Sequence, residues 1–343
     1  MTQRKNSLTG VKPSGTPHIG NYLGAIQPAL ELSKTYKAHY FLADYHALTT
    51  MRDPAEFRHA NHELAATWLA CGLDPNDVVF YRQSDIPEIF ELTWILACNA
   101  PKGLLNRAHA YKAAADANTE AGRLVDDGIN MGLYNYPVLM AADILIADTD
   151  LVPVGQDQKQ HIEITRDLAI AFNAIYGDTL VLPDGLISEE VATITGLDGR
   201  KMSKSYGNVI PLFAPPNELR KTVMRIVTDS RRPEDPKDPD QDNIYAIYKH
   251  FATPERLTEV RELYLNGGLA YGKMKAELFE VLDAYLSPMR AKYDALMADT
   301  VQIDTILAEG AVKMREIAAR VIDRVRMAIG KTTVAGAEKV GGK

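Results

Sequence analysis

Two lysines, Lys201 and Lys204, lie three residues apart in GLDGRKMSKSYGN (196–208). The stretch is too polar for a core and too rich in glycine for a stable helix. An ammonium on a glycine-flanked loop is a movable point charge for phosphate. Two of them can neutralise charge that develops on a polyphosphate as it breaks. A lone lysine pair on a loop would mean little. Here Met202, Ser203 and Ser205 complete the run KMSKS over 201–205, a five-position pattern with a low chance of random occurrence.

Two further segments hold residues of the same kind. In KPSGTPHIGNYLG (12–24), Pro13, Ser14 and Gly15 make a tight turn, and His18, Gly20 and Asn21 then open a helix. A helix start presents unsatisfied N–H groups and the positive end of a dipole, which favours phosphate. Gly20 lets a ring or a phosphate approach the backbone, and His18 can hydrogen-bond a phosphate oxygen. The glycines alone do not separate this from a plain turn, since neither a Walker pattern nor GxGxxG is present. In YPVLMAADILIADTDLVPVGQDQKQH (136–161), Asp143 lies inside an apolar helix. A carboxylate there is costly unless paired. It reads as part of a helix face that meets water, as an internal salt bridge, or as an acceptor at the bottom of an apolar pocket. Gly155, Asp157 and Gln158 sit at another strand-to-helix junction, where Asp157 alone would be a helix N-cap.

The elements that must position these residues alternate. Strands are predicted at 7–12, 38–44, 78–83 and 151–154. Helices are predicted at 19–35, 54–72, 87–98, 101–115, 137–147 and 157–177. That order implies βαβ units in a doubly wound, parallel α/β sheet, with ligands at the carboxyl ends of the strands. After about residue 206 strand signals fade, and 215–227, 243–251, 254–265, 272–298 and 301–329 read as helices. The expected organisation is an α/β domain over 1–206 with a helical insert at about 85–150, an all-helical domain over 207–330, and a fraying tail at 331–343. Residues 233–242, PEDPKDPDQD, read as an acidic surface loop.

Of the 343 residues, 46% are hydrophobic, enough for a core and too many for a disordered chain. No run of eighteen apolar residues occurs, and the first ten residues have no apolar signal region. Cys71 and Cys98 are far apart, which disfavours a disulfide framework or a zinc site. A cytoplasmic enzyme is expected. The net charge of −7 argues against a protein that coats nucleic acid. Local basic runs at 220–232 and 310–331 leave a nucleic-acid partner open, as well as plain solvated helix faces.

KMSKS at 201–205 is identical to the signature loop of class I aminoacyl-tRNA synthetases, and HIGN at 18–21 resembles their HIGH signature, with Asn21 in the last place. PSGTPHIGNYLGA, YPVLMAADIL and VPVGQDQKQHIEITRDLA resemble the bacterial tryptophanyl-tRNA synthetases, a likeness that runs through most of 8–230. The resemblance implies a Rossmann-like catalytic domain and a helical domain that binds the tRNA anticodon. It implies activation of L-tryptophan by ATP with Mg²⁺, then transfer to the 3′-terminal ribose of tRNA(Trp), in a homodimer with no membrane attachment. It implies Lys201, Lys204 and His18 as catalytic residues. On the ATP side it implies Lys12, Pro13, Ser14, Gly20 and Asn21, then Gly155, Gln156 and Asp157 under the ribose, Ile194 beside adenine, and Met202, Ser203 and Ser205 with the two lysines. Around tryptophan it implies Asp143 as acceptor of the indole N–H, with Tyr136, Met140 and Gln158; no metal ligand from the protein is implied. Lys12 stands where much of the family has glutamine. Three rivals are weighed: a tyrosyl-tRNA synthetase, disfavoured by Asp143 beside Met140; an adenylyltransferase making a dinucleotide cofactor; and a non-catalytic tRNA-binding relative.

Overall fold

The computed structural model describes residues 4–13, 15–155, 158–187 and 194–331. Five parallel strands form one sheet in the order β3-β2-β1-β4-β5: β1 Asn6–Val11, β2 Lys37–Leu42, β3 Val79–Arg82, β4 Leu151–Val154 and β5 Asp184–Ile187. The order reverses between β1 and β4, which pair at Ser7 and Leu151. Chains leave these two strands in opposite directions, so a crevice opens past their carboxyl ends. Lys12 follows β1 and Gly155 follows β4, so both border that crevice.

The sequence reading named four of the five strands. It missed β5, where Pro183, Asp184 and Gly185 dilute the apolar pattern. As an edge strand, β5 pairs on one side only, with β4, and edges tolerate such residues. The helix expected at 19–35 begins as Ile19–Asn21, widens to a π-helix at Tyr22–Ile26 and resumes at Gln27–Ser33. The widened turn precedes Pro28, which has no N–H for a regular ladder. The helix expected at 101–115 is two, Lys102–Leu105 and His109–Glu120. The one bearing Asp143 starts earlier than expected, at Met131, where the Asn130 side chain caps it by accepting the Leu133 N–H.

The later helices are Pro216–Met224, Asn243–Tyr248, Pro254–Asn266, Tyr271–Ala298 and Thr300–Ala328. Two buried clusters hold the molecule together, and each draws on both parts of the chain. One joins Tyr40 and Trp68 to Tyr245, Tyr264 and Leu282. The other joins Leu8, Phe41 and Tyr81 to Met314, Ala318 and Val325 of the last helix. That helix covers the β3 edge of the sheet. It comes so close that a Cβ at Gly310 would stand 1.7 Å from the Phe80 carbonyl oxygen, so only glycine fits.

The basic run on this helix turns inward to acids of the sheet half. Arg324 forms a two-pronged pair with Asp148, Arg326 with Glu91, and Arg315 reaches Glu88. These arginines dock the helix; the run is neither an open cationic face nor a wholly solvated one. The loop at 233–242 is also more than surface. Lys237 is 3% exposed, and its ammonium donates to the carbonyls of Arg232, Pro233 and Asp235. Three carbonyl dipoles satisfy the buried charge and fix the turn.

Candidate functional site

A cavity of about 400 Å³ opens at the crevice, with Leu8 and Gly10 of β1, Phe41 of β2 and Val152 of β4 at its back. The helix Met131–Leu145 supplies Tyr136, Met140 and Asp143, three and four residues apart and therefore on one face. Gln158 and Lys12 complete the wall. The structure thus brings together Tyr136, Met140, Asp143 and Gln158, as the sequence reading grouped them. Asp143 is 1% exposed. Gln83 Nε2 donates to both of its oxygens, at 2.8 and 2.9 Å, and His46 Nε2 lies 3.0 Å from Oδ2. Burial pushes the Asp143 carboxyl above the ordinary range, while the His46 and Gln83 bonds pull it back. The carboxylate is neither an unpaired charge nor a simple ion pair.

A second polar chain borders the same cavity. The Tyr136 hydroxyl meets His161 Nε2 at 2.5 Å, and His161 Nδ1 meets Gln158 Oε1 at 2.9 Å. His46 contacts Tyr136 edge-on, with ring centroids 6.3 Å apart. Such a wall can hold an amphipathic aromatic molecule by its ring while polar groups fix its direction.

Lys12 stands between this cavity and a polar groove formed with Pro13, Gly15, Arg52, Asp53 and Glu56. Its ammonium donates to the hydroxyls of Thr49 and Thr50 at 3.2 and 3.4 Å. Burial lowers its pKa from the ordinary lysine value. Its position suits an anion shared between the two spaces.

The HIGN turn is tied through the backbone to residues 210–212, the segment that follows the lysine loop. His18 pairs with Pro211 in an antiparallel bridge, the Ile19 N–H donates to Ile210 O at 3.0 Å, and Leu212 N–H donates to Pro17 O at 3.1 Å. His18 caps the first turn, where Asn21 Oδ1 accepts its N–H at 3.0 Å. A Cβ at Gly20 would meet the His18 ring at 2.9 Å and Met202 at 3.4 Å, so the glycine lets histidine and loop close over the helix start. Burial, and then the Lys204 charge, depress the His18 pKa to about 4, so the ring is neutral near pH 7. Lys204 hangs over the first turn: a Cβ on Gly15 would lie 3.2 Å from its ammonium.

Asn208 organises the loop. Its Oδ1 accepts the Ser203 N–H at 2.8 Å, and its Nδ2 donates to Asp198 at 2.6 Å and to Lys201 O at 3.1 Å. Met202 is buried, and its N–H donates to Ile194 O at 2.8 Å. Ser203 and Ser205 share a hydrogen bond at 2.8 Å, and the Lys201 side chain is exposed. Ile194 is buried at the base of the loop. Ser14, Gln156 and Asp157 lie outside the described residues.

Residues 2–287 match the family described as tRNA synthetases class I (W and Y). The chain belongs to that family. It is 53% identical over 328 residues to a tryptophan–tRNA ligase of Pseudomonas aeruginosa, covering 94% of this chain and 73% of that protein. A tryptophan–tRNA ligase of Xanthomonas campestris is 52% identical over 334 residues, covering 96% and 77%. Among solved structures, the tryptophanyl-tRNA synthetase of Campylobacter jejuni complexed with ADP and tryptophan superposes with a TM-score of 0.87. It is 42% identical, and the match covers 95% of this chain and 99% of that one.

Within this family frame, four residues escaped the sequence reading. Gln83 and His46 hold Asp143, His161 joins Tyr136 to Gln158, and Asn208 pins the lysine loop. Gln83 had one signal, a polar residue at the carboxyl end of a buried strand. Among the described residues no group of three or more His, Cys, Asp or Glu is arranged to hold a metal ion, and no helix is long and apolar enough to cross a membrane.

Proposed function

We propose that this protein activates L-tryptophan with ATP and then esterifies tRNA(Trp) with it. The observation that carries the reading is the buried Asp143 in an aromatic-lined cavity beside a lysine loop, in a chain 53% identical to a tryptophan–tRNA ligase. Indole is a hydrogen-bond donor only, so a buried acceptor selects it. Phenylalanine would leave that acceptor unpaired, and a site built to bond an N–H rejects analogues lacking it by roughly 10⁴ or more.

In the first step a carboxylate oxygen of tryptophan bonds to the α-phosphorus of ATP, and the bond from that phosphorus to pyrophosphate breaks in line. The nucleophile is already ionised, so no general base is needed. Positioning and charge stabilisation remain. Lys201 and Lys204 would hold the departing pyrophosphate more tightly in the transition state than in the ground state. Neutral His18 would donate to a phosphate oxygen without adding a charge. Gly20, Asn21 and Pro13 would line the adenosine and phosphate path with Ser14, and Gly155, Gln156 and Asp157 would lie under the ribose. Ile194, Met202, Ser203 and Ser205 would border the nucleotide, and Lys12 would face the α-phosphate. Mg²⁺ would arrive on the ATP phosphates. In the second step the hydroxyl of the 3′-terminal ribose attacks the acyl carbon and AMP leaves.

The division into a catalytic part at 1–206, with its insert, and a tRNA-binding helical part at 207–330 belongs to this proposal, as do a cytoplasmic location and a homodimer. Trp94, Leu124 and Met131 on the insert are 73%, 83% and 66% exposed, and such side chains suit a subunit contact. Tryptophan-dependent ATP–pyrophosphate exchange tests the reading. Exchange with tryptophan and not with tyrosine or phenylalanine is expected; exchange driven equally by tyrosine would overturn it.

A further inference from the structure

Asp143 has about four acceptor positions on its two oxygens. Gln83 approaches both oxygens from one side, and His46 adds a contact to Oδ2 alone. Gln83 is fully buried. Its orientation is settled by a second bond, because its Oε1 accepts the Tyr45 N–H at 3.1 Å. The amide can meet that N–H only by turning its NH₂ toward Asp143. Tyr45 is itself fixed, since its N–H also reaches Asp44, whose carboxylate takes the Ser84 N–H at 3.0 Å and the Ser84 hydroxyl. Gln83 and Ser84 are adjacent, just past β3. The carboxyl ends of β2 and β3 thereby lock a side chain that comes from a third element.

We infer that Gln83 is a positioning residue for tryptophan selection: it spans both oxygens of Asp143, a residue lining the cavity, and with His46 on Oδ2 leaves the remaining acceptor position on Oδ1 for the indole N–H. The inference deepens the function proposed above and rests on it. A carboxylate free to rotate would offer its oxygens in several directions and would accept donors at other places on a ring. Held by Gln83 and His46, it accepts one donor from one direction.

The test uses the full-length protein and ATP–pyrophosphate exchange at varied tryptophan concentration. Gln83→Glu keeps the shape. Protonated, its acid can donate to Asp143; ionised, it repels it. The KM for tryptophan in this variant should climb at least tenfold from pH 6 to pH 8.5 relative to the parent, with kcat changing less. The titratable and charged groups around the Gln83–Asp143 pair are His46 and Tyr81 beside Asp143, Asp44 beside Ser84 and the neighbouring Arg82, with Tyr136 and His161 on the cavity wall. All are present in the parent as well, so the ratio removes whatever they contribute independently of residue 83. Gln83→Leu should raise KM about tenfold in the parent and less than twofold in an Asp143→Ala background. A pH-independent KM ratio for Gln83→Glu, or Gln83→Leu and Asp143→Ala effects that simply multiply, would overturn the inference. Absence of tryptophan-dependent exchange in the parent would instead sink the proposed function.

Discussion

Asp143 and the lysine loop serve one crevice, yet they are held by different means. Asp143 is sealed from solvent and fixed by side chains, Gln83 and His46, which are themselves tied to strand ends. The lysine loop is fixed through its backbone, by Asn208 and by the Ile194–Met202 bond, and the segment just after it is bridged from Pro211 to His18. Its Lys201 side chain is left to solvent. A group that chooses between amino acids must not move, because a small displacement erases the choice. A group that meets charge as it develops needs a firm stem and a free end. On the roles proposed above, burial serves the first and an exposed chain on a pinned loop serves the second.

That contrast can be broken by experiment. Lys204→Ala should lower the rate of adenylate formation by about 10³-fold, while tryptophan binding measured by calorimetry changes less than threefold. Equal loss in both would mean that the two ends are not separable. Asp143→Ala should do the reverse, raising the KM for tryptophan about 10²-fold and narrowing the preference over phenylalanine, with a smaller change in kcat. Unchanged selectivity would take Asp143 out of recognition. Asn208→Ala removes three polar contacts beneath the loop and should slow adenylate formation about tenfold at constant tryptophan KM. A shift in tryptophan KM of that size would show that the loop's footing reaches the amino-acid pocket.

The smallest effect concerns pH. The His18 pKa falls from 6.5 to about 4 on folding. Between those values the unfolded chain binds more protons than the folded one, so stability declines as pH drops through that window and levels off below it. The urea midpoint should follow that course, and His18→Asn should flatten it. A slope untouched by the substitution would assign the acid sensitivity to other groups, such as buried His39, which is held near the same value mainly by desolvation.

Much of this was legible in the residues. The alternation of strands and helices and the KMSKS loop follow from period and spacing, whereas Tyr136, Met140 and Asp143 are grouped only through the resemblance to the synthetases. Strand β5 was not, because an edge strand need not be apolar on both faces. The roles of Gln83 and Asn208 were hidden for another reason. Each acts on residues distant in sequence or through backbone groups, which carry no letter in the sequence. The basic run at 310–331 looked like a surface because its acidic partners, Glu88, Glu91 and Asp148, lie more than 170 residues earlier. The same docking makes truncation after residue 215 a poor probe of tRNA contact. It would strip β3 of its cover, so surface substitutions at Arg231 and Arg232 serve better.

Gly310 rests on the Phe80 carbonyl with no room for another atom. The last helix therefore cannot slide along the sheet, since its neighbouring residues all carry a Cβ that would strike the strand. Together with the arginine pairs to Glu88, Glu91 and Asp148, that contact sets where the helix stands along the sheet. Gly310→Ala should push the helix off the strand and lower the urea midpoint, and an unchanged midpoint would show that the two backbones can part at no cost.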